Sequence, residues 1–125
     1  MEHAWIDPAY AELVDNAPFI ELYRDNAVRV GRELADPAVA GGVVGSTDMG
    51  NVSHLVPSIH PMIAVSPPNV AIHTQAFVHH ARAPEGDRAV LDGAKAMAAT
   101  VADLWLRPDV LAEVKAEFQA RTAEA

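Results

Sequence analysis

The chain has 125 residues, about half of them apolar, and a formal net charge of −8. That length supports one small domain with its own core, and that composition is too hydrophobic for compositional disorder. The acidic balance excludes a phosphate-backbone binder, so no nucleic-acid partner is expected. With no cysteine, disulfides and thiolate metal sites are excluded as well. No apolar run approaches the roughly 20 residues of a membrane helix. Met1-Glu2-His3-Ala4-Trp5 has neither a basic start nor an apolar stretch, so no signal peptide and a cytoplasmic location are expected.

The first fifteen residues carry Pro8 and no clear period. Asn16 followed by Pro18 is a helix start, with a side-chain cap and a proline in the first turn. Ile20, Tyr23, Ala27, Val30 and Leu34 then form one apolar helical face. Asp36-Pro37 is expected to end the helix, because the residue before proline avoids the helical region. In the glycine-rich stretch that follows, Val43 and Val44 suit a very short buried strand, and residues 46–50 a loop. Asp48 could cap a short helix over residues 51–56, although a strand there fits the pattern equally. Pro57 stops either one.

Met62-Ile63-Ala64-Val65, bounded by prolines, predicts a buried strand. Residues 66–86 read as a long loop, and such loops are more often functional than decorative. From Asp87 a helix is predicted, with Val90, Ala94, Met97, Val101 and Leu104 on its apolar face. Arg107-Pro108 interrupts it. Val110 or Leu111, then Val114 and Phe118, make a last amphipathic helix. The order helix, strand, strand, helix, helix is α/β in character. Two short strands make a poor sheet alone, so the segment reads as a piece that docks on further strands.

Six histidines are present, five of them between positions 54 and 80. Without cysteine, a transition-metal site would be built from imidazole and carboxylate, which suits zinc or manganese. His79 and His80 are adjacent, and neighbours in a strand point to opposite faces, so they do not bind one metal together. The helical motif of two histidines four apart with a glutamate between is absent. From spacing alone, any one of these histidines is more simply a solvated or hydrogen-bonded structural residue. The turn around Ser46 and Thr47 matches neither a phosphate loop nor a dinucleotide fingerprint, and no base stands beside it as a triad would require.

Gly45-Ser46-Thr47-Asp48-Met49-Gly50-Asn51-Val52-Ser53, followed by Val56-Pro57 and Ile59-His60-Pro61, resembles a block of the aminoacylase–carboxypeptidase family of metal-dependent amidohydrolases. The likeness is nearest to the branch of aminobenzoyl-glutamate hydrolases and dipeptidases acting on β-alanyl or similar dipeptides. Ala71-Ile72-His73-Thr74-Gln75-Ala76-Phe77 resembles that family's last metal-binding motif, and Leu106-Arg107-Pro108-Asp109-Val110-Leu111 fits its C-terminal helices.

The resemblance implies a C-terminal segment, residues 1–125, of a zinc-peptidase-like α/β sandwich, lying after the lid domain, with an incomplete sheet. It implies that His73 is a metal ligand of a site holding two zinc or manganese ions. Ser46, Thr47 and Asp48 would line the substrate pocket. The complete enzyme would hydrolyse the amide bond of a small acyl-amino acid or dipeptide. The expected partners are that substrate, a missing N-terminal half or partner subunit, and further copies of the chain in a homo-oligomer.

Departures from the family pattern qualify this. The chain has no His-x-Asp and no Glu-Glu pair, which in the family carry the general base and most ligands. A catalytic zinc needs about three protein ligands, so the chain alone is expected to be inactive. Position 75 is Gln where many relatives are acidic, which bears on what orients His73. Two alternatives stand beside the amidohydrolase reading. One is a non-enzymatic remnant or binding module that pairs with a partner chain. The other is an unrelated small α/β module with structural histidines.

Overall fold

A computed structural model describes residues 2–4, 6–35 and 46–123. Asn16 begins the first helix, α1 (Ala17–Arg29), as its sequence requires. Its Oδ1 accepts the Phe19 N–H at 3.2 Å, while its Nδ2 donates to the Val114 carbonyl at 2.8 Å. One buried side chain therefore caps α1 and ties it to the last helix. The helix does not continue to Asp36-Pro37. Gly31 adopts a positive φ of 84°, a region that glycine enters without a Cβ penalty. The Gly31 and Arg32 amides return to the carbonyls of Val28 and Ala27 at 2.9 and 3.0 Å. This Schellman closure satisfies the last carbonyls and turns the chain away.

Helix α2 (Met49–Ser53) is one short turn, and it holds the N-terminal segment against itself. Asn51 donates to the Ala9 carbonyl at 2.9 Å and accepts the Ala11 amide at 3.2 Å. Ser53 accepts the Val14 amide at 2.9 Å. A Cβ on Gly50 would collide with the Ala11 carbonyl, so only glycine permits this approach.

The predicted strand at Val43-Val44 lies outside the described residues. Residues 62–65 form no strand, and no β-strand occurs among the described residues. The described residues are helical, which agrees only loosely with the α/β expectation. The apolar run has the composition of a strand, yet a strand exists only with a hydrogen-bonded neighbour. What holds this run is Arg32, which donates to the Ala64 carbonyl at 3.2 Å and pairs with Asp92 at 2.9 Å.

The expected loop over residues 66–86 is also corrected. It contains α3 (Gln75–Ala81), capped by Thr74, whose Oγ1 accepts the Phe77 N–H at 3.2 Å. The long helix α4 (Pro84–Leu106) begins three residues before Asp87, with Pro84 in its first turn and Glu85 and Asp87 near its positive end. Arg107-Pro108 breaks it as expected. Helix α5 (Pro108–Ala123) buries Val110 and Val114.

α1, α3 and α5 all pack against α4. The face of α4 they cover is not the expected one. Gly86, Ala89, Ala96 and Thr100 are buried, whereas Val90, Met97 and Val101 are exposed. Small side chains let α1 approach closely. Two small clusters form the core: Leu22, Val110 and Val114 with Phe19 and Leu104, and Tyr23, Ala27 and Ala96 with Val30 and Ile59. Between them Asn26, fully buried, donates to Asp103 at 2.9 Å, to the Leu22 carbonyl at 3.1 Å and to Thr100 at 3.3 Å.

Candidate functional site

The Ser46–Asp48 turn runs directly into α2. Ser46 is exposed at the edge of a cavity of about 440 Å³, whose other walls are Ile6, Asp7, Pro8, Ala9 and Tyr10. Thr47 is half-buried and its Oγ1 accepts the Met49 N–H at 3.3 Å. That bond satisfies one of the donors at the start of α2, a task the sequence suggested for Asp48. Asp48 does occupy the cap position, but its side chain makes no capping hydrogen bond and its carboxylate is exposed. The turn thus offers a hydroxyl at Ser46 and a charge at Asp48, and it is positioned by the bonds between α2 and residues 9–14.

His73 immediately precedes the Thr74 cap of α3 and has a positive φ of 63°. This conformation is uncommon for a residue with a Cβ, although histidine enters it more readily than most. Thr74 fixes the turn from its other side, donating to the Ala71 carbonyl at 2.7 Å. His73 is exposed, as is Ile72, while Phe77 is half-buried. His79 and His80 lie in the last turn of α3 rather than in a loop. Successive helical side chains diverge by about 100°, so in the helix too these two rings point apart.

The remaining histidines of the cluster have other surroundings. His54 Nε2 lies 3.1 Å from the Glu12 carbonyl, adding to the clasp between α2 and the N-terminal segment. His60 lines a largely apolar cavity of about 350 Å³ with Tyr23, Arg24 and Met62. His80 lines an open cavity of about 420 Å³ beside Arg32, Glu85 and Arg88. Among the described residues no group of three His, Asp or Glu side chains is placed to hold a metal ion. The described residues of this chain therefore do not by themselves form a complete metal centre. The cavity beside Ser46 is not lined by His73.

Sequence reasoning missed the structural use of the motif between the two candidate positions. Gly50, Asn51 and Ser53 serve the packing of residues 9–14 on α2. The pairing of a glycine with two side-chain hydrogen-bonders in one short helix was the available signal. None of the helices among the described residues is long and apolar enough to cross a membrane.

Over 116 residues, 92% of the chain, the sequence is 33% identical to the Xaa-Arg dipeptidase of Mus musculus. It is 31% identical to the Xaa-Arg dipeptidase of Homo sapiens over the same share. The chain is related to dipeptidases. The matched region makes up 27% and 26% of those two proteins, so the chain spans about a quarter of the length of the curated relatives it matches. The relation holds at the level of dipeptidases and amidohydrolases and stops short of a branch within them. No protein-family model matches the chain.

Proposed function

We propose that this chain is the part of a metal-dependent amidohydrolase that follows the lid domain, and that the complete enzyme cleaves the amide bond of an acyl-amino acid or dipeptide. The observation that carries this reading is the similarity to two dipeptidases across 92% of the chain. In this reading His73 is the segment's metal ligand, for zinc or manganese. It stands in a positive-φ turn immediately ahead of the Thr74 cap of α3, exposed on the surface. Ser46, Thr47 and Asp48 face the substrate. The names of the relatives point to a dipeptide ending in arginine, and the exposed Asp48 carboxylate and the net charge of −8 suit a basic substrate.

The chain supplies no general base in this scheme and too few ligands for a metal. Its share is to present His73 and the Ser46–Asp48 turn. When bound, the metal ions would activate water for attack on the amide carbonyl.

The test joins the chain to the part of the mouse relative that precedes the matched region. The isolated chain is expected to hydrolyse no dipeptide, and the joined protein to do so only with metal. His73→Ala is expected to lower bound metal by about one equivalent, as loss of a ligand requires, and to remove most of the rate. His79→Ala leaves both near normal. Full metal content and turnover in the His73 variant would refute the assignment. Hydrolysis by the isolated chain would refute the division of labour.

A further inference from the structure

Two arginines and a histidine meet at one open cavity, away from the turn and the histidine already described. Arg32 comes from the stretch after α1, His80 from the last turn of α3, and Arg88 from the start of α4. With Ser66 and Glu85 they line about 420 Å³. Neither Ser46, Thr47, Asp48 nor His73 is on this wall. The chain carries 17 acidic residues against 9 lysines and arginines. Two arginines against a single carboxylate therefore run counter to its overall charge.

Arg32 is the anchor. Its side chain is only 21% exposed, and its Nη1 donates to the Ala64 carbonyl at 3.2 Å. Asp92 Oδ2 stands 2.9 Å from Nε, yet off the N–H direction, so Nε and Nη2 are buried with no hydrogen-bond acceptor. Asp92 lines a neighbouring cavity with Arg32 and not this one. Buried donors left unmet are costly, and they mark a place for an ordered water or an ion. Nε and Nη2 share one edge of the guanidinium, the fork that grips two oxygens of a carboxylate or phosphate together.

The other polar groups are also uncommitted. Among the described residues the Arg88 and His80 side chains make no hydrogen bond or ion pair. The Ser66 hydroxyl reaches the Val70 carbonyl at 3.5 Å, which is too long to hold it firmly. Glu85 is exposed, and a surface pair between it and Arg88 would be weak. The positive end of α4, a helix of 23 residues, adds to the field.

We infer that this cavity binds a small oxyanion, the carboxylate or phosphoryl group of a ligand. Arg32 and Arg88 supply charge and paired donors. His80 supplies a ring N–H in either protonation state, and Ser66 a hydroxyl. The site owes nothing to the amidohydrolase reading and stands or falls apart from it.

The test titrates inorganic phosphate, and separately acetate, into the isotope-labelled chain, with ionic strength held constant by chloride. Nuclear magnetic resonance follows the Nε–H signals of Arg32 and Arg88 and the ring of His80. Saturable shifts at all three are expected. Arg88→Gln is expected to weaken binding about tenfold, as loss of a charge-assisted hydrogen bond requires, with the circular dichroism unchanged. Arg107→Gln, at the far end of α4, is expected to leave binding as it was. His80→Gln is the second variant, should Arg88→Gln disturb the fold. Arg32 is left intact because it also holds Ala64 and Asp92.

Saturation by phosphate alone supports the site and identifies a phosphoryl ligand, and saturation by acetate supports it and identifies a carboxylate. A linear response equal to that of chloride overturns the proposal. So do shifts that survive both Arg88→Gln and His80→Gln, or that Arg107→Gln weakens as much. None of these readouts needs catalysis, so loss of the amidohydrolase reading would leave them unchanged.

Discussion

Asn26→Ala is expected to destabilise the isolated chain by about 2–3 kcal/mol, most of it from one hydrogen bond. The side chain is fully buried and its Nδ2 serves three acceptors: Leu22 O, Thr100 Oγ1 and Asp103 Oδ2. Two of them keep other roles when it is removed. The Leu22 carbonyl remains inside α1, and the Thr100 hydroxyl still donates to Ala96 at 2.8 Å. Asp103 loses its 2.9 Å donor and keeps only the longer 3.4 Å contact with Arg29. A hydrogen bond to a charged group is worth about 1.5–3 kcal/mol, and the partial exposure of Asp103 places the loss toward the lower part of that range. The void left by the amide adds about 1 kcal/mol.

Asn26→Asp tests the same geometry through charge. It replaces the donor with a carboxylate oxygen facing Asp103, so at neutral pH it is expected to cost more than Asn26→Ala. Asp103, facing that oxygen, raises the new carboxyl's folded-state pKa, an effect reduced by Arg29, which donates to Asn26 Oδ1 at 3.0 Å. The extra cost is therefore complete above that pKa and fades as pH falls through the carboxylate range near about 4. Urea unfolding followed by circular dichroism, repeated between neutral and acid pH, measures both effects. An alanine variant within about 0.5 kcal/mol of the parent, as for an ordinary surface change, would refute the reasoning. So would an aspartate variant whose deficit does not depend on pH.

Gly50→Ala drives a Cβ into the Ala11 carbonyl, and a loss of about 1–3 kcal/mol is expected from overpacking. Faster proteolysis of residues 9–14 would accompany it. Gly31→Ala meets no atom within 4 Å, so its expected cost of about 1 kcal/mol is purely conformational. Gly31→Asn is expected to recover part of it in the same thermal melt. Asn16→Ala loses both the α1 cap and the bond to Val114, with an expected cost of about 2 kcal/mol. Hydrogen exchange should rise at the Phe19 amide, and unchanged exchange there would count against the assigned cap.

Where a single residue decides an element, the sequence was sufficient. Asn16 and Pro18 announce α1, and Arg107-Pro108 separates α4 from α5. The end of α1 was misread because Leu34 continues the apolar period, while Gly31, a weaker sign on paper, supplies the conformation that stops the helix. Thr74 as a cap was equally visible, but prolines on either side made the stretch look like loop. The inner face of α4 was illegible for a physical reason. Alanine, glycine and threonine bury well against a close neighbour yet hardly register in an apolar period, so the larger side chains of the outer face drew the assignment. At the candidate site, Ser46, Thr47, Asp48 and His73 were selected by resemblance. What composition could not give was that Thr47 rather than Asp48 caps α2, or that His73 sits in a left-handed turn.

The clasp between α2 and the N-terminal segment engages main-chain groups: the carbonyls of Ala9 and Glu12 and the amides of Ala11 and Val14. It is indifferent to which side chains stand at positions 9–14 and strict about how many residues there are. Substitutions along this stretch should pass with little effect, proline at 11 or 14 excepted, since each of those positions must donate an N–H. Inserting or deleting one residue would instead present carbonyls where amides are needed, and the Ser46–Asp48 turn would lose its support some forty positions away. Variation in this segment is therefore constrained in length far more than in composition.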